Sequence, residues 1–121
     1  QSADIIMPII EKSVNNTFNI DISNLKEKGL KSYSFKITNY KDKKINSKQI
    51  EYKLSINTLK NDVELKLYKN KDDKNLLTNS EKYEITAKLP KDKEQEDVYT
   101  LIIKANKATG KNKTIEVKVA S

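Results

Sequence analysis

The chain has 121 residues, enough for one domain, with 36% hydrophobic and 34% charged residues, a net charge of +7 and a pI near 9.4. It contains no Cys, His, Trp or Arg, and all 24 basic residues are Lys, which excludes disulfides, thiolate nucleophiles, imidazole ligands and Ser-His-Asp triads. Ile, Leu, Val and Phe make up about a quarter of the chain, above the ~20% below which disorder is expected, and two Gly and two Pro are too few for a linker, so a single folded domain over residues 1–121 is expected.

The dominant signal is period two, which marks strands buried on one face. Residues 5–10 come first, apolar on both sides and interrupted by Pro8. A proline cannot donate to a ladder, so this is an edge or terminal strand. Phe18, Ile20 and Ile22 then alternate with Asn19 and Asp21. Asn24-Leu25-Lys26-Glu27 has the form of a capping box, with Gly29 placed to end one helical turn. Tyr33, Phe35 and Ile37 alternate with Ser34 and Lys36, and residues 39–46 read as a polar loop. Ile50, Tyr52, Leu54 and Ile56 alternate with Glu51, Lys53 and Ser55; Val63, Leu65 and Leu67 alternate with Glu64 and Lys66. After a polar loop at 69–75, Tyr83, Ile85, Ala87 and Leu89 alternate with Glu84, Thr86 and Lys88. Residues 98–105, with Leu101, Ile102 and Ile103 continuous, suit a central strand or one covered on both faces. Ile115, Val117 and Val119 alternate with Glu116 and Lys118 and complete the set. Polar loops are expected at 90–97 and 106–112. About eight short strands with no sustained helical stripe predict an all-β fold, a two-layer antiparallel β-sandwich.

The Walker A and dinucleotide-binding glycine loops are absent, since Gly29 and Gly110 are the only glycines. Asp92, Glu94, Glu96 and Asp97 are the densest acidic cluster, but Lys91 and Lys93 interrupt it and it lacks glycine, so a solvated loop is expected rather than a calcium site. A Lys–Asn cross-link has too many pairings to assign one. Tyr33, Tyr52, Tyr83 and Tyr99 share parity with apolar neighbours and read as core, whereas Tyr68 has the parity of Glu64 and Lys66 and is the best contact residue. Ile5, Ile6, Met7, Ile9 and Ile10 form an uncharged apolar terminus. Their plain role is a first strand within the domain. The sharper alternative is a detachable strand over 1–12, donated to the open edge of a neighbouring subunit. Lysines mixed with acids describe a solvated surface, and the missing Arg argues against nucleic acid. No apolar run reaches ~18 residues, so no membrane span is expected, and no signal peptide is visible in this sequence.

The run Y-S-F-K-I-T-N-Y (33–40), I-E-Y-K-L-S-I (50–56), V-E-L-K-L-Y-K-N (63–70) and V-Y-T-L-I-I-K-A (98–105) is similar to small exported β-sandwich proteins of Gram-positive bacteria, the TasA/camelysin type of surface and biofilm-matrix proteins. The resemblance spans roughly residues 15–120 and rests on generic strand patterns. It implies an Ig-like or jelly-roll sandwich, export through a leader absent from this chain, and polymerisation through an N-terminal donor strand. Some members have been described as metalloproteases, an activity that a chain without His does not support. The expectation is therefore a non-catalytic structural or adhesive module, without cofactor, at the cell surface or in the extracellular matrix. It would act by strand addition and Lys contact with anionic wall polymer. The alternative is an accessory or sensor ectodomain that binds a protein or glycan.

Overall fold

The structure is a computed structural model that describes residues 5–10, 14–58, 61–77 and 83–121. The described residues form ten strands: β1 (Ile5–Pro8), β2 (Asn15–Asp21), β3 (Leu30–Thr38), β4 (Tyr40–Lys41), β5 (Lys44–Ile45), β6 (Ile50–Asn57), β7 (Val63–Lys69), β8 (Glu84–Leu89), β9 (Glu96–Ala105) and β10 (Thr114–Ala120). All eight expected strands form. The two additional ones are a two-residue hairpin, β4–β5, inside the expected 39–46 loop, where Asp42 turns the chain with a φ of 55°. A ladder that short leaves no alternation to read in the sequence.

The eight longer strands make two four-stranded sheets, β1-β3-β9-β7 and β2-β10-β6-β8. Along the chain these strands fall alternately in the first sheet and the second, so no hydrogen-bonded pair among them is consecutive in sequence. The ladders between these strands are antiparallel except β1–β3, where Ile5 lies opposite Phe35 and Met7 opposite Ile37 in parallel register. Pro8 sits on an edge strand, as its missing N–H requires. Strand β9 is central, paired with β3 on one side and β7 on the other. Its inward residues are buried, and its outward residues Val98, Thr100, Ile102 and Lys104 are half-buried.

The inner faces close over Phe35, Ile37, Leu65, Leu67, Tyr99, Leu101 and Ile103 from the first sheet and Ile20, Tyr52, Leu54, Leu89, Ile115, Val117 and Val119 from the second. This aliphatic layer holds one aromatic run. Tyr99 stacks on Phe35 at 5.4 Å between ring centroids, Phe35 meets Phe18 edge-on at 5.2 Å, and Phe18 stacks on Tyr33 at 6.0 Å. Tyr52 and Tyr99 are fully buried, while Tyr33 and Tyr83 pack against the core from its margin.

One local expectation fails. Residues 24–29 form no helical turn but two tight turns, with Asn24 at φ 60° and Lys28 at φ 67°. The backbone here closes one turn on itself, Gly29 N–H donating to Lys26 O at 2.8 Å, and otherwise bonds to the end of β9 and the loop after it. Asn24 N–H donates to Gly110 O at 2.7 Å and Lys28 N–H to Ala105 O at 2.7 Å. Gly29 is required at this turn, because a Cβ there would lie 2.8 Å from the Lys26 carbonyl oxygen.

Candidate functional site

Chemistry-bearing groups gather in the core near the start of β9. Asp97 shares parity with Tyr99, Leu101 and Ile103, so the pleat that carries the core also carries its carboxylate inward, leaving it 1% exposed. Oδ2 accepts a hydrogen bond from the Tyr52 hydroxyl at 2.6 Å and lies 3.5 Å from Lys69 Nζ. Oδ1 accepts from Gln95 Nε2 at 3.0 Å. The Tyr52 and Tyr99 hydroxyls are also hydrogen-bonded to each other. Burial pushes both phenols up from their ordinary value. Each phenolate would also face another acidic group, Tyr52 being close to Tyr99 and Asp97, and Tyr99 to Asp97. The cluster is thus a carboxylate with two neutral phenols, each hydroxyl turned to another member. Lys69, from β7, and Gln95 complete the partners of the carboxyl group.

A second polar knot holds the neighbouring loop. Asn39, fully buried, donates from Nδ2 to Pro90 O at 2.9 Å and Lys93 O at 2.7 Å, and its Oδ1 accepts from Gln95 N–H at 2.7 Å. Asn46 accepts Asp92 N–H on its backbone oxygen at 3.0 Å and donates from Nδ2 to Lys48 O at 2.9 Å. These bonds shape the loop containing the acidic run and send its carboxylates in different directions. Asp97 enters the core; Asp92 and Glu94 are exposed. Glu96 turns outward, accepting the Tyr40 hydroxyl at 2.7 Å with Lys36 at 3.5 Å. The Tyr40 bond, with help from Lys36, holds Glu96 below its ordinary value, and the same bond raises the Tyr40 phenol. Among the described residues, no group of three or more acidic side chains could hold a metal ion.

Tyr68 lies half-buried on the outer face of the first sheet, opposite Thr100, which is itself opposite Ser34. The same face carries Ile6 and Leu30, among the described residues the two large apolar side chains that are plainly exposed, at 59% and 66%. Half-buried Ile102 and Val98 lie on β9, diagonal to Tyr68 across the β7–β9 ladder. Parity therefore places Tyr68 outward, as expected, and the register adds an apolar and hydroxyl-bearing surround that no single segment reveals.

The N-terminal segment divides by side. Met7 and Ile9 are buried in the core and Ile5 packs against it, while Ile6 is exposed and Ile10 is half-buried. Ile10 joins Pro8, Val14 and residues 41–44 around an open groove. Strand β1 pairs within its own domain, and among the described residues its only hydrogen-bonded neighbour strand is β3. The register continues past the strand, with Ile9 N–H donating to Thr38 O at 2.7 Å. In this parallel ladder the Ile6 and Pro8 backbones face away from β3, and Pro8 has no N–H to offer. The opposite edge, β7, is partly covered. Leu67 N–H donates to Asn75 Oδ1 at 3.0 Å, and Leu67 O accepts Leu76 N–H at 2.8 Å.

Asp97, Asn39 and Asn46 were not singled out by sequence reasoning as a structural cluster. Parity with Tyr99 and Leu101 is the signal that marks Asp97 as inward, and parity with Phe35 and Ile37 marks Asn39; for Asn46 no local signal exists. In comparisons with known proteins the chain matches no family model, no curated protein and no solved structure. Among the described residues, no helix is long and apolar enough to cross a membrane.

Proposed function

We propose that the protein is a non-catalytic structural or adhesive module of a Gram-positive cell surface or extracellular matrix, self-associating by strand addition and contacting anionic wall polymer through lysines. The observation that carries this reading is the seat of β1. Four residues at the edge of the first sheet lie parallel to β3, held by one ladder, with Met7 and Ile9 filling core positions. An identical strand from a neighbouring copy would fill the same seat with the same contacts, so exchange costs only the ordering of the connection.

The experiment is sedimentation and electron microscopy of the chain at high concentration. The intact chain should elongate. A chain lacking residues 1–10 should not, and a free peptide of residues 1–12 should terminate growth of the intact chain. An intact chain that stays monomeric, or growth that the peptide leaves untouched, overturns the reading.

A second reading is favoured by the outer face of the first sheet. There Tyr68 lies across from Thr100 and diagonal to half-buried Val98 and Ile102, an aromatic and apolar spot on a sheet face. On that reading the protein is an accessory or sensor ectodomain for a protein or glycan. It stays monomeric, and Tyr68→Ala weakens its ligand without changing stability.

A further inference from the structure

The positive charge of this chain is not spread evenly over the sandwich. At one end lie the loop between β2 and β3, residues 22–29, and the loop between β9 and β10, residues 106–113. Together they carry Lys26, Lys28, Lys107, Lys111 and Lys113, all exposed, against one acid, Glu27. Asp62, from the neighbouring β6–β7 connection, is engaged by Lys107 at 3.0 Å. At the opposite end, residues 39–49 carry four lysines against Asp42, residues 69–75 carry three against Asp72 and Asp73, and residues 90–97 carry two against four acids. The lysines of the first pair of loops therefore meet few acids within their own loops, whereas those of the opposite end are interleaved with acids in nearly equal number.

The basic end is also held in shape. Thr109, 8% exposed, is the centre of the lacing. Its Oγ1 donates to Ile22 O at 2.6 Å and accepts Leu25 N–H at 2.9 Å, while its N–H donates to Leu25 O at 3.0 Å. Ile22 N–H reaches Lys113 O at 2.9 Å, and Lys113 N–H reaches Ser23 Oγ at 3.0 Å. Positive φ angles at Asn24, Lys28, Gly110 and Asn112 fold the two loops tightly enough to meet. A small recess opens between the β9–β10 loop and the β6–β7 connection, lined by Lys107, Thr109, Lys113 and Thr114 on one side and Thr58 and Asp62 on the other. Lysines on braced backbone keep their charges close without a backbone-ordering cost on binding, which favours a weak multivalent contact.

We infer that this laced double loop is a binding site for a flexible phosphodiester polymer without bases, a sugar- or polyol-phosphate chain, engaged through Lys26, Lys28, Lys107, Lys111 and Lys113. The residue types select that class. Lysine is a point charge that neutralises phosphate without the planar fork needed to read a base edge. Neither loop contains an aromatic side chain on which a base could stack. The inference rests on the surface-module reading but localises its polymer contact to one end.

The test measures binding of a soluble poly(glycerol phosphate) and of a single-stranded oligonucleotide of equal charge. The proteins are the intact chain, a Lys26→Gln, Lys28→Gln, Lys111→Gln, Lys113→Gln variant, and a Lys41→Gln, Lys43→Gln, Lys44→Gln, Lys48→Gln variant. All eight side chains are exposed, so both variants should keep the circular dichroism of the parent. Five charge contacts should make the intact chain lose about a hundredfold in affinity between about 50 and about 200 mM salt. The first variant should bind at least roughly tenfold more weakly with a shallower salt slope, the second less than threefold more weakly. Equal losses in the two variants would show diffuse charge and overturn the site, leaving the surface-module reading standing. Tighter binding to the oligonucleotide would overturn the ligand class. No binding of either polymer by the intact chain would overturn the inference and the polymer contact of the surface-module reading together, whereas self-assembly is read separately by sedimentation.

Discussion

Alkaline pH should unfold this protein through two residues, Tyr52 and Tyr99. Both are buried, at 1% and 0% exposure, and both have phenol pKa values raised by that burial and by the acidic groups around them. An unfolded tyrosine loses its proton near pH ~10. A folded-state pKa raised above the unfolded one gives stability that is fully present below pH ~10 and lost as pH climbs beyond it. Each such tyrosine contributes a slope of ~1.4 kcal/mol per pH unit, so the pair gives ~2.7 kcal/mol per unit. By pH ~12 the loss is ~5.5 kcal/mol, enough to consume the lower part of the ~5–15 kcal/mol range of small domains. Tyr52→Phe removes one ionisable group and should halve the slope. It also takes a hydroxyl from Asp97 Oδ2, costing ~1–3 kcal/mol near neutral pH. Urea unfolding of parent and variant near pH 7, about 10 and about 11 reads both quantities, while phenolate absorbance reports when the buried rings ionise. The reasoning is refuted if parent and variant share one slope, or if every tyrosine ionises reversibly while near-ultraviolet circular dichroism stays native.

Two further substitutions probe the packing and the polar knot. Phe35→Ala opens a cavity where Phe35, fully buried, meets Phe18 and Tyr99, and should lower stability by ~3–5 kcal/mol, read as a drop in urea midpoint at unchanged m-value. Asn39→Ala strips Pro90 O, Lys93 O and Gln95 N–H of their side-chain partner and should cost ~2–3 kcal/mol. Faster amide hydrogen exchange confined to the 90–95 loop is the accompanying signature, and uniform acceleration across both sheets would assign Asn39 a global role instead.

The position and facing of nearly every long strand are local properties. Alternation from Ile50 to Ile56 or from Ile115 to Val119 depends only on the two-residue repeat of an extended backbone, and each inward residue is buried as that repeat requires. The same repeat, followed one step before Val98, already points Asp97 into the core. Pairing is different in kind. Each longer strand leads to one in the other sheet, so every ladder among them joins segments separated by at least one intervening strand, and no turn sets their register. Only the closed sandwich decides that β1 lies parallel to β3, or that Tyr52 and Asp97, 45 residues apart, share a proton-bearing contact. The mistaken helical turn at 24–29 has the same origin. Local signals favoured a cap, but the loop after β9 supplies backbone partners that a short isolated turn cannot match. What the residues determine unaided is which side chains face inward, because that follows from the geometry of one extended strand. Which strands and loops meet is left to the folded whole, because it depends on how two sheets bury their apolar faces against each other.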